Sequence, residues 1–70
     1  MSEEQILALI KSKRDNAVID FNYHCELLKK LKRATDEFIK CLGEIRELRV
    51  TIQTYNDLIN EITYQITKPV

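Results

Sequence analysis

The stretch Lys29–Glu37, KKLKRATDE, decides how this chain folds. Four cations (Lys29, Lys30, Lys32, Arg33) are followed at once by Thr35, Asp36 and Glu37. Cations favour a helix C-terminus, where unpaired carbonyls leave partial negative charge, whereas Thr or Asp at an N-cap with carboxylates behind it favours a helix start. The pattern predicts one helix over about 3–33, a turn at 34–35 and a second helix over about 36–66. The expected fold is all-α: an antiparallel helical hairpin with arms of nearly equal length, forming a single domain over residues 1–70.

Upstream, Ser2-Glu3-Glu4-Gln5 has the capping-box form, with carboxylates in the first turn. Ile6, Ile10, Ala17, Phe21, His24, Leu28 and Leu31 then follow helical spacings, interrupted around Lys13 and Arg14. Asp15 and Asn16 offer an alternative in which a short separate N-terminal helix ends there. Downstream, Phe38, Cys41, Leu42, Ile45, Leu48, Ile52, Tyr55, Ile59, Ile62 and Ile66 hold the same period, Gly43 lies opposite, and Pro69 limits the helix.

Folding the sequence about its midpoint tests the hairpin, since residues whose numbers sum to about 69 then face each other. Leu31 meets Phe38, Leu28 meets Cys41, His24 meets Ile45, Phe21 meets Leu48, Ala17 meets Ile52 and Ile10 meets Ile59, so nearly every layer is apolar on both sides. The rival is one long helix in a parallel coiled coil, because positions 24, 31, 38, 45, 52, 59 and 66 keep one heptad phase across the turn. Opposed charge blocks would have no purpose inside such a helix, and the hairpin is the reading adopted.

Seventy residues bury little apolar area, and oligomerisation is the expected remedy. Hydrophobic residues at 44% and charged residues at 31%, with one Gly and one Pro, fit a soluble helical protein. Eleven basic and eleven acidic side chains cancel, so no bulk field draws the chain to nucleic acid or a membrane. No apolar run reaches the roughly 20 residues that span a bilayer. The opening MSEEQ is acidic where a signal peptide would be basic, and a cytoplasmic location with reduced Cys25 and Cys41 is expected.

Leu9, Val18, Ile19, Tyr23, Ile39, Val50, Leu58 and Tyr64 fall off the intramolecular seam. An apolar face left in water marks a partner surface, and these eight residues are the expected contact face. The partner is a second copy, most simply in a dimeric four-helix bundle, or another helical protein. The functional expectation is therefore a non-enzymatic protein–protein interaction module that self-associates and holds or inhibits a partner.

The middle layers break the apolar rule: Lys13 would face Asn56, Arg14 would face Tyr55 and Asp20 would pair with Arg49. A polar layer of this kind fixes register. The alternative function is an anion site in which Lys13, Arg14 and Arg49 hold the phosphate of a nucleotide and Tyr55 or Tyr23 stacks on its base. His24, Cys25 and Cys41 lack the paired spacings of a zinc site, so neither metal nor cofactor is expected. Cys25 has no base beside it either, because adjacent His24 points about 100° away on a helix, and no enzymatic activity is expected.

Residues Arg14-Asp15-Asn16-Ala17, Leu27-Leu28-Lys29-Lys30-Leu31 and Asn56–Tyr64 (NDLINEITY) resemble the two helices of the small co-chaperones of type III secretion needle subunits. The resemblance implies a hairpin of this length, a cytoplasmic partner chaperone and a needle protein held unpolymerised. That family's turn often carries Gly or Pro, where this chain has Arg33-Ala34-Thr35.

Overall fold

A computed structural model describes residues 1–68. It has two helices, α1 (Glu3–Lys30) and α2 (Asp36–Thr67), packed against each other as a hairpin 55 Å long and 15 Å in its other two dimensions. The fold is all-α and the arms hold 28 and 32 residues. Neither alternative topology is adopted, since α1 runs unbroken through Asp15 and Asn16 and the chain reverses after Leu31. Pro69 lies outside the described residues, and α2 ends at Thr67 with Lys68 as its cap.

Each helix starts where its capping chemistry places it. The Ser2 hydroxyl accepts from the Gln5 amide at 3.2 Å while Gln5 Oε1 accepts from the Ser2 amide at 2.8 Å, satisfying two orphan donors reciprocally. Thr35 caps α2: its Oγ1 accepts from the Phe38 amide at 3.2 Å and donates to the Lys32 carbonyl at 2.8 Å. One side chain thereby closes the turn and opens the next helix.

Helix α1 stops three residues before the boundary expected from sequence. Leu31 turns extended (φ −87°, ψ 146°), its amide donates to the Leu28 carbonyl, and Ala34 takes the left-handed conformation at φ 67°. A non-glycine residue there costs of order 1 kcal/mol, and the two Thr35 bonds hold it in place. The basic block is thus split: Lys29 and Lys30 lie in the last turn of α1, whereas Lys32 and Arg33 belong to the loop.

The core is thin. Ala17, Cys41, Ile45 and Ile59 are the buried residues among those described, and the other seam residues, including Ile10, Phe21, Leu28, Leu48 and Ile52, are half-buried. Two helices can enclose a single line of side chains between them and no more. Within that line the Cys41 thiol donates to the His24 carbonyl at 3.2 Å, tying the helices together near the turn. His24 Nδ1 in turn donates to the Asp20 carbonyl at 2.8 Å, which sets its ring edge-on to Tyr23. Both cysteines are free thiols.

Candidate interaction surfaces

Two packed helices form a ribbon with two broad faces and two outward edges, and heptad phase assigns each residue to one of them. Residues Ala17, His24 and Leu31 of α1 meet Ile52, Ile45 and Phe38 of α2 in the seam. Ile6, Lys13, Asp20 and Leu27 recur every seven residues on one side of it, as do Glu37, Glu44, Thr51, Leu58 and Gln65 on α2. This first broad face carries two grooves of about 350 Å³ each: one near the turn, where Leu27 and Leu31 meet Cys41 and Glu44, and one at the open end, where Ile6 meets Leu58 and Ile62. The second broad face carries a groove of about 320 Å³ in which Val18 and Phe21 meet Arg49 and Ile52.

The eight apolar residues expected to make one contact face do not come together. Ile19 and Tyr23, each more than 60% exposed, sit on the outward edge of α1, since Ile19 is two residues, about 200°, past buried Ala17. Ile39, Val50 and Tyr64 occupy the opposite edge, on α2, at 60% exposure or more. Spacings of eleven and fourteen residues separate these three by roughly 16 and 21 Å along the axis, with Arg46 and Asp57 among the side chains between them. Leu9 lies beside the α1 edge, Leu58 lines the open-end groove of the first broad face, and Val18 is half-buried against the seam.

The polar cluster is likewise divided. Arg14 turns out of its core layer, donating from Nε and Nη2 to Asp15 Oδ1 at 3.1 and 3.0 Å and from Nη1 to Asn56 Oδ1 at 3.4 Å. Its guanidinium already has a carboxylate beside it. Arg49 shares the second broad face with Arg14, but Lys13 follows the phase of Ile6 and Leu27 onto the first, and Tyr55 is half-buried in the seam. Among the described residues the ion pairs are Arg14–Asp15 and Lys29–Glu26, so Asp20 and Arg49 do not pair. Asp20 lies on one broad face and Arg49 on the other.

The broad faces differ in charge as well. Lys11, Arg14, Lys29, Arg46 and Arg49 fall on or beside the second face with Asp15 and Glu4, while Asp20, Glu37, Glu44, Glu47 and Glu61 fall on or beside the first with Lys13, Lys30 and Lys40. Periodicity alone does not reveal this division, because pairing layers across the seam leaves out their flanking positions.

Among the described residues no three His, Cys, Asp or Glu side chains stand close enough to hold a metal ion, and no helix is long and apolar enough to cross a membrane. Comparison with family models, curated proteins and solved structures gives no match.

Proposed function

We propose that the chain is a non-enzymatic protein–protein interaction module, a helical hairpin that self-associates and holds or blocks a helical partner in the manner of a co-chaperone or inhibitor. The observation that carries this reading is surface area. The hairpin exposes 5633 Å², whereas a compact monomer of 8.3 kDa is expected to expose about 4600 Å². The excess of about 1000 Å² is close to the roughly 800 Å² that one partner buries in a standard interface. Large side chains at Ile6, Leu9 and Leu58 remain between 37% and 47% exposed, in the range that a further helical layer would cover. The cytoplasm, with its reduced thiols, is the compartment that goes with two unpaired cysteines.

Native mass spectrometry of the purified protein tests this reading. A multiple of 8.3 kDa is the expected result, and a cooperatively folded monomer overturns it.

A second reading is supported by Arg14 and Arg49 standing on one broad face, where Arg49 lines an apolar-floored groove: capture of an anionic nucleotide without turnover. Lys13 has no part in it, being on the other side of the ribbon. Titration calorimetry against a nucleotide panel is expected to show heat that Arg49→Ala removes, and no heat from any member overturns this reading.

A further inference from the structure

The first broad face bears a pattern that matches itself when reversed. Along α1 it reads Ile6, Lys13, Asp20, Leu27. The numbers pair about the level between Asn16 and Ala17, the midpoint of Glu3–Lys30: apolar Ile6 with apolar Leu27, and Lys13 with Asp20. An isologous interface requires this arrangement, because residue i of one copy meets residue j of the other and j meets i. We propose that two copies of this chain pack through this face, α1 against α1 and antiparallel, about a two-fold axis at that level. The inference rests on the interaction reading above and specifies its partner.

Three observations argue for a second copy as the occupant. Lys13 and Asp20 are exposed and, among the described residues, neither is in an ion pair, so their charges are free to meet. Neither lies in the first or last turn of α1, so the helix's own ends give no reason for their signs. A face 55 Å long and 15 Å wide presents about 800 Å², the share of one partner in a stable complex. The turn groove of one copy then lies over the open-end groove of the other, so that Leu27 covers Ile6.

On α2 the same axis sets Glu37 against Lys68 and brings Lys40 within a turn of the other copy's Glu61. Glu44 and Glu61 fall level and share that lysine. The other two-fold, running along the hairpin, would set Asp20 between the other copy's Glu47 and Thr51 and Lys13 between its Thr54 and Leu58, which gives neither charge an opposite partner.

Charge exchange tests the arrangement. Lys13→Glu and Asp20→Lys, each made alone, place like charges together twice per dimer. Each is expected to raise the dimer dissociation constant about tenfold in sedimentation at low salt, since the two-fold axis doubles every change. The double variant K13E/D20K is expected to return to within about threefold of the parent. Mixing the two single variants is the sharper arm, because an antiparallel α1–α1 contact restores both opposite-charge pairs only between unlike copies. Native mass spectrometry should then show a K13E·D20K heterodimer in excess of either homodimer. Unlike copies that mix at random, or single variants that associate like the parent, overturn this face while leaving self-association standing. A parent protein that is a folded monomer overturns both.

Discussion

Gly43→Ala is expected to stabilise the protein, by an amount that the structure fixes with few unknowns. Gly43 lies in the eighth position of α2, is exposed, and has a negative φ, so it supplies no conformation that alanine lacks. A Cβ built there meets no atom within 4 Å. The substitution therefore adds no clash and buries no surface, and what remains is the helix propensity difference, about 1 kcal/mol in favour of alanine. For a domain of this size that corresponds to a rise in Tm of about 4–8 °C. Far-UV circular dichroism at matched protein concentrations, by heat and by urea, measures it. An unchanged or lowered midpoint would refute the reasoning. A loss would place another chain close against the α2 edge where Gly43 and Val50 sit, and the association would have to be moved there from the broad face.

Three further substitutions probe the seam, the turn and the surface. Ile45→Ala removes one of four buried side chains and is expected to cost about 2–4 kcal/mol, enough to abolish a cooperative urea transition in so thin a core. Thr35→Ala removes both the α2 cap and the tie to the Lys32 carbonyl and is expected to cost about 1–2 kcal/mol, whereas Thr35→Ser, which keeps the hydroxyl, is expected to lose less than half of that in the same assay. Leu58→Asp, on the first broad face, is expected to reduce the native mass to that of the monomer, while Val50→Asp, on the outward edge, leaves it unchanged; the reverse pattern would contradict the assignment of faces.

The hairpin and both helix starts are legible in the sequence, because capping chemistry is local. Ser2 with Gln5 and Thr35 with Phe38 make the bonds that their spacing implies. The end of α1 is not legible. Leu31 keeps the apolar phase of His24 and Leu28, so periodicity carries the helix onward, while the stop comes from a left-handed Ala34 with no glycine to announce it. The surface is less legible than the fold, for a related reason. Counting residues off the seam says that Ile19 and Val50 are outside it, but two helices have two outsides, and these residues point in opposite directions. The same step joined Lys13 to Arg49 across a ribbon that separates them. Folding about the midpoint sets Asn56 opposite Lys13, whereas its carboxamide is taken by Arg14, one residue further on, because a charged side chain in a core layer bends toward the nearer open face.

A hairpin with so thin a core is proposed to be completed by a second copy on its first broad face. The dependence of the thermal midpoint on protein concentration tests this most directly, because dissociation to unfolded chains makes the midpoint concentration-dependent by mass action. Over an increase of about a hundredfold the midpoint is expected to rise by several degrees, with a single cooperative transition throughout. A midpoint independent of concentration, at a temperature where the protein is monomeric and helical, would contradict the account.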